Sequence, residues 1–386
     1  MMGEKLDSTE IRKNNKLNVF RFLMRHGRSS TQDIVSALHL SRPTVVQVLR
    51  ELDRQHLIRD GGVFESSGGR KARAFEPAYD AGFAIGADIT KSHISFVLTD
   101  LSEKVIRSDR IQKNFENTPE YAESFRIYLR HFADSEPNLR ERLLGVGISI
   151  PGIVDRTGTR IEISNLLGLH DMDYADLLHD DIMPVRFMND ANAAGMAEYF
   201  QNPGKTLFYL SLSDSVGGAV FLPDCGGGIV NDLSSNIYYG AHCHSAEVGH
   251  MVIHPDGERC YCGKTGCADV YCSAQRLTEA AGGSLERFFD RVAIRDPECC
   301  MVWDRYLDDL AILIDNIYMM FDCRIIVGGF VGSFMVPYME ELRSRLCSRN
   351  IFEDNADYVH TGMFRGEAAA FGAAVLYIEK LYNNIS

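Results

Sequence analysis

The chain has no apolar run approaching the roughly 20 residues that a membrane-crossing helix needs. It also has no apolar leader. Its opening residues, MMGEKLDSTEIRKNNK, are polar throughout, so no secretory signal peptide is expected there. Without a sign of an oxidising destination, the ten cysteines point to reduced thiols or metal ligands rather than disulfides. These absences exclude a secreted, membrane-spanning or fibrous protein and predict a cytoplasmic one. What remains is ordinary for a globular chain: 45% hydrophobic and 24% charged residues. At 386 residues the chain is too long for one ordinary domain.

Positive charge is scarce overall, and the formal net charge is −13. It is not scarce everywhere. Residues 1–80 hold 14 Lys and Arg against 10 Asp and Glu, whereas the other 306 residues hold 26 against 43. A small basic head on a large acidic body suggests a polyanion-binding module joined to something else.

The head has helical periodicity over about residues 14–26, with Val19, Phe20, Leu23 and Met24 on one face and Gly27 as the stop. Ser30, with Asp33 three residues on, marks the start of a second, short helix that buries Ile34, Ala37 and Leu38. After a tight turn at His39-Leu40, Ser41 caps a third helix with Pro43 in its first turn. Val45, Val48, Leu49 and Leu52 form its buried face; Arg42, Thr44, Gln47 and Arg50 point elsewhere. This is the spacing of a helix-turn-helix, whose second helix enters the major groove. Leu57-Ile58-Arg59, the turn Asp60-Gly61-Gly62 and Val63-Phe64 read as a hairpin, the wing. The strip from Ser67 to Arg73, with Arg70 and Lys71, suits phosphates or a minor groove. The alternative is a helical bundle used for protein contacts.

From residue 81 the pattern is α/β. Strands are expected at Phe83–Ile89, Ile94–Leu98, Val105–Arg107, Leu144–Ile150 and Val185–Met188, with a helix over roughly 119–134. Asn189-Asp190 end the last strand before a helix of small residues beginning at Ala191. Polar groups at that end of a strand are where ligands bind in α/β sheets; Asp190 serving only as a helix cap is the plainer alternative.

The strongest local chemistry is GHMVIHPDGERCYCGKTGC. His250, Cys260, Cys262 and Cys267 form the ligand set of a closed structural zinc site in a loop spanning 250–267, and Gly263 and Gly266 permit its tight backbone. His254 is a rival to His250. The other seven cysteines, Cys225, Cys243, Cys272, Cys299, Cys300, Cys323 and Cys347, are scattered and read as small hydrophobes.

Together these segments resemble the ROK family of repressors and sugar kinases, in particular its longer members with an N-terminal winged helix. The resemblance rests on the head with GGRK, IPG at 150–152, NDANAAGMAE at 189–198, EVGHMVIH at 247–254, CYCGKTGC at 260–267 and IIVGGFV at 325–331. It implies a two-lobed, actin-like (ribonuclease H-like) sugar-kinase fold with a sugar in the cleft. It implies hydrogen bonds to sugar hydroxyls from Asn189 and Asp190, from Glu247 and His250 opposite, and from Asn165. In kinases of the family the counterpart of Asp190 is the base. The family's glutamate two residues after the last zinc cysteine is here Asp269, one methylene shorter.

The same resemblance locates the phosphate-binding turns, and they are altered. Asp88 is followed by Ile89-Thr90-Lys91-Ser92 where the family has Gly-Gly-Thr. Ser213-Asp214-Ser215 stands where it has Gly-Thr-Gly. Side chains occupy space that phosphates need, and Asp214 brings like charge. The chain is therefore expected to be a sugar-responsive DNA-binding regulator, a repressor without kinase activity. Residues 1–80 would bind operator DNA and residues 81–386 a carbohydrate, in a homodimer or dimer of dimers. The alternative is an active ATP-dependent hexose or amino-sugar kinase with a regulatory head; a third reading has the body as a partner-binding module with its cleft empty.

Overall fold

A computed structural model describes residues 8–65, 71–134, 136, 138–178, 184–201, 204–223, 236–353 and 355–385. Helix α1 (Ser8–His26) starts before the apolar periodicity does. Its added turns are held by charge, since Arg12 pairs with Glu51 of the third helix. After the short strand β1 (Ser29–Ser30), Ser30 Oγ accepts the Asp33 N–H at 3.2 Å and Asp33 returns the bond to the Ser30 N–H at 2.8 Å. That capping box starts α2 (Thr31–Leu38). His39, at φ +52°, makes the turn; Ser41 caps α3 (Arg42–Arg54) with Pro43 in its first turn. Val45, Val48, Leu49 and Leu52 are buried as the spacing requires. In α2 only Ile34 is fully buried; Val35 and Leu38 are half-buried against the same core, and Ala37 is exposed.

The wing differs from the sequence expectation. Asp60-Gly61-Gly62 does not reverse the chain but lies inside β2 (Ile58–Val63). A bulge between Asp60 and Val63 absorbs the glycines, and the Gly62 N–H bonds to Asp60 Oδ1 at 2.9 Å. The pairing strand is β3 (Arg73–Pro77), central between β1 and β2. Val63-Phe64 offer two residues to pair, whereas β3 offers five and buries Ala74 completely.

The body carries two larger sheets. The first comprises β4 (Phe83–Ile89), β5 (His93–Asp100), β6 (Val105–Gln112), β7 (Leu143–Ile150) and, beyond a small sheet of β8 (Ile153–Val154), β9 (Arg160–Ser164) and β10 (Leu169–Asp173), β11 (Val185–Asn189), in the order β11-β7-β4-β5-β6. The second comprises β12 (Leu207–Leu212), β13 (Val216–Phe221), β14 (Arg324–Gly328) and β15 (Val359–Thr361), in the order β13-β12-β14-β15. Among the helices, α4 (Pro119–Ala133) covers the first sheet and α6 (Pro297–Phe321) the second. Helix α5 (Asp190–Gln201) leads from β11 toward the second sheet, and α7 (Ala368–Ile385) lies back across the first.

These layers touch where glycine permits. A Cβ on Gly86 would stand 1.7 Å from Ala370 O, and one on Gly147 2.1 Å from Ala373 O, so α7 rests almost on the β4–β7 backbone. Where α5 meets α7, a Cβ on Gly372 would lie 1.7 Å from Ala193 O. The far end of α7 meets the head: Phe20 stands edge-on to Tyr382 with ring centroids 5.1 Å apart, and Arg21 pairs with buried Glu379 at 3.6 Å. The meeting of α5 and α7 gives a test. Gly372→Ala is expected to cost about 1–3 kcal/mol in chemical denaturation, as overpacking does, while Gly366→Ala, with open space around it, stays near neutral. Equal midpoints for the two would show that the helices can part without strain.

Candidate functional site

β11 runs parallel to β7 and ends at Asn189, where the chain enters α5. That end is tightly wired. Asn189 Nδ2 donates to Gly152 O at 2.9 Å and to Asp190 Oδ1 at 3.1 Å, and Asn189 Oδ1 accepts the Asn192 N–H at 3.0 Å. The helix thus begins at Asp190, whose Oδ1 also accepts the Ala191 N–H at 2.9 Å. Asn189 is the principal capping group, and Asp190 is free to present Oδ2 to the cleft.

The cleft holds a cavity of about 480 Å³, within the range of small-molecule sites. Asn165, Asn189, Asp190, Glu247 and His250 line it together. Glu247 and His250 flank a short turn that rests on the start of β13: a Cβ on Gly249 would meet Val216 O at 2.1 Å. Asp269 is not among the lining residues. It is buried, and its Oδ1 accepts the Val216 N–H at 2.6 Å. That oxygen is spent on holding the turn. The cavity also takes in Tyr239, His244, Ser245 and Tyr261, which sequence reasoning passed over. The first three sit in a stretch without periodicity. Tyr261 had a signal: it stands between two candidate ligands.

His250, Cys260, Cys262 and Cys267 bring one ligand atom each within 4.8 Å of all the others. Cys262 Sγ lies 3.6 Å from Cys267 Sγ, and Cys260 Sγ 3.9 Å from His250 Nδ1. Ligand atoms about 2.3 Å from a tetrahedral cation stand about 3.8 Å apart, so the four fit one metal ion. His254 is turned away, its Nε2 2.6 Å from Asp309 Oδ1. Of the other described cysteines, Cys272, Cys299 and Cys323 are buried, while Cys243, Cys300 and Cys347 are partly exposed; Cys225 lies outside the described residues.

Asp190 also borders a second hollow of about 70 Å³, with Asp88, Thr90, Ser213, Asp214 and Gly329. Two of its backbone donors are engaged. The Gly329 N–H bonds to Tyr209 Oη at 3.1 Å and the Phe330 N–H to Ser213 Oγ at 3.3 Å. Gly328 serves close packing, since a Cβ there would strike the Tyr209 ring. Burial raises the Asp214 carboxyl, against the pull of Lys91.

On α3, Arg42, Gln47 and Arg50 are exposed and Thr44 is half-buried, its Oγ1 2.8 Å from Ser41 Oγ. Gln47 Nε2 donates to Glu51 at 3.3 Å. Lys71 is exposed next to β3, and Arg70 lies outside the described residues.

With this geometry in hand, comparisons place the chain. The xylose repressor of Bacillus subtilis is 26% identical over 71% of this chain and 69% of its own length. The N-acetylglucosamine repressor of Escherichia coli O157:H7 is 24% identical over 74% and 69%. The crystal structure of a ROK family transcriptional regulator, a homologue of the E. coli MLC protein, superposes with a TM-score of 0.75 at 19% identity, covering 97% of this chain and 98% of that one. A ROK family glucokinase from Streptomyces griseus, in complex with glucose and AMPPNP, superposes at 0.61 with 20% identity, over 76% of this chain and 99% of its own. The fold is the two-lobed, actin-like one of sugar kinases, preceded by a three-helix head with a small sheet. The ROK family pattern matches residues 84–380, and the chain belongs to that family.

The electrostatics of the strand end are testable. Burial, then the neighbouring Asp88 carboxylate, pushes Asp190 up to about 7 against the Ala191 N–H bond. Burial pushes Asp88 up to about 6, opposed by the Ser149 hydroxyl and Arg110. An unfolded chain ionises these groups near 3.9, so folding loses stability as pH rises from there to about 7. Asp190→Asn removes the larger share. Its Tm gain over the parent chain is expected to be small at pH 4 and larger at pH 8; a gain that does not grow would mean the carboxyl is not suppressed.

Proposed function

We propose that the chain is a sugar-responsive transcriptional repressor whose kinase-like body has no catalytic role. The observation that carries this reading is the contrast between two hollows that share Asp190. The larger keeps polar groups on both walls. The smaller, where phosphates would lie, is lined by Asp88 and Asp214 with Arg365, and the amides of Gly329 and Phe330 are occupied by the chain's own hydroxyls. The relatives named as repressors point the same way. A coupled ADP-release assay across a sugar panel separates this reading from a working kinase.

In this reading residues 1–80 form a winged helix-turn-helix and residues 81–386 the sugar-binding unit. Exposed Arg42, Gln47 and Arg50 on α3 would reach base edges, and Lys71 and Arg70 the backbone. A palindromic operator would call for a homodimer, or a dimer of such dimers. Sugar binding would close the cleft and re-space the heads through α5, α7 and the Phe20–Tyr382 contact. Among the described residues no helix is long and apolar enough to cross a membrane, in keeping with a cytoplasmic regulator.

Arg42→Ala and Gln47→Ala are expected to weaken specific operator binding more than non-specific binding, and Arg70→Ala to weaken both, in fluorescence anisotropy. Unchanged operator affinity in all three would remove α3 from the interface.

The metal in the four-ligand cluster would be Zn²⁺, held by His250, Cys260, Cys262 and Cys267 in a closed, structural set that leaves no water position. Elemental analysis is expected to give about one zinc per chain and Cys267→Ser to lose it together with several degrees of Tm. Folded protein free of zinc would refute the site.

A further inference from the structure

The larger cavity has a chemical bias. Its described lining contains two carboxylates, Asp190 and Glu247, and no Lys or Arg side chain. Residues 224–235, which are not described, include no Lys, Arg or His in sequence. Of the lining imidazoles, His250 belongs to the metal cluster, and His244 lies within electrostatic reach of Glu247. Where these carboxyls are ionised, an anionic group placed here would meet negative charge, with only the two imidazoles of the described lining to answer it.

A second observation concerns shape. Tyr261 is 65% exposed and lines the cavity. An aromatic ring left this open forgoes the burial that large apolar groups gain in folding. Its position is nevertheless fixed. The neighbouring residues on both sides, Cys260 and Cys262, are held in the four-ligand cluster. The ring stands edge-on to His250, with centroids 5.4 Å apart at 71°, and its hydroxyl lies 3.5 Å from His250 Nε2. The electron-rich face of an aromatic ring attracts the partly positive C–H groups of a flat apolar surface. Sugar rings present such a surface on one side and hydroxyls around their edge.

The geometry points to an unphosphorylated carbohydrate, neutral or carrying an amino group, with one ring face stacked on Tyr261 and its hydroxyls directed to Asp190 and Glu247. Tyr261 is then the residue that selects for a ring, and the carboxylate pair is the feature that rejects phosphorylated and acidic sugars. This rests on the carbohydrate reading of the cavity given above. The nearby arginines line separate hollows: Arg365 the one of about 70 Å³ that shares Asp190, and Arg156 and Arg186 one of about 110 Å³. Arg156 is engaged there with the carbonyl of Gly240.

The test is calorimetry on the full, zinc-loaded chain. The probes are D-xylose, D-glucose, D-glucosamine and N-acetyl-D-glucosamine, each hexose also as its 6-phosphate. At least one free sugar is expected to bind. A 6-phosphate of any hexose that binds should bind at least tenfold more weakly than the free sugar. Tyr261→Ala should weaken the bound sugar about tenfold or more and Tyr261→Phe less than threefold, both with unchanged zinc content. Wild-type affinity in Tyr261→Ala, or a 6-phosphate binding as tightly as its free sugar, overturns this inference and leaves the carbohydrate reading standing. Binding of no probe in either form overturns both.

Discussion

The site and the head meet through one close contact, that of α5 with α7 at Gly372. No side-chain atom fits between Gly372 and the Ala193 carbonyl. Helix α5 begins with Asp190 in the cleft, and α7 is pressed onto the first sheet by the absence of Cβ atoms at Gly86 and Gly147. It ends in the Tyr382 ring against Phe20 of the head. Interiors packed at crystal-like density pass displacements on rather than absorb them. A shift of Asp190 along its helix axis would press on α7 as well as on β12 and β13, against which α5 also packs. The size of any effect on the head is bounded by how much more tightly a ligand binds one arrangement than the other.

The same strand end explains why a kinase-like cleft can lose its phosphate seat without losing its ligand cavity. The two hollows share Pro151, Leu166, Asp190 and Ser215 but otherwise draw on different backbone. The larger one takes its far wall from the turn at Glu247–His250 and from the metal loop. The smaller one takes its walls from β4, the Ser213–Ser215 turn and Gly329. Substituting side chains in the second set adds bulk and negative charge beside Asp88 and, apart from Ser215, leaves the first set untouched. Asp190 belongs to both and is kept partly neutral by burial and by Asp88. A carboxyl in that state is about half ionised at neutral pH and could still accept a proton, so the case against phosphoryl transfer lies in the altered hollow and not in Asp190.

Much of this was legible in the sequence because it depends on local rules. Capping at Ser30 and Ser41, the buried face of α3, the strand Phe83–Ile89 and the helix from Pro119 follow from neighbouring residues alone, and the structure has them where spacing puts them. The metal ligands are close in sequence, so their convergence was readable too. The misses are tertiary. Asp-Gly-Gly has the local chemistry of a reversing turn, yet the chain runs straight on through a bulge because a better partner strand lies ten residues further along. The start of α1 depends on Arg12 reaching Glu51, thirty-nine residues away. Neither effect has a periodic signature.

Asp269 shows the limit most clearly. Its type and spacing match a ligand contact, and only its length argues against it. In the fold one oxygen of the carboxylate accepts the Val216 N–H at 2.6 Å, a tertiary bond that no spacing in the sequence announces. Val216 is thereby gripped from two sides, its N–H by Asp269 and its carbonyl by the close approach of Gly249. This fixes the turn bearing Glu247 and His250 to the edge of the second sheet. The metal cluster then ties His250 to the loop that carries Tyr261. The far wall of the cavity is thus a single braced unit, built on the backbone of β13. A ligand in the cleft would press against that wall on one side and against the freer end of α5 on the other, so closure would be taken up by Asp190 and its helix.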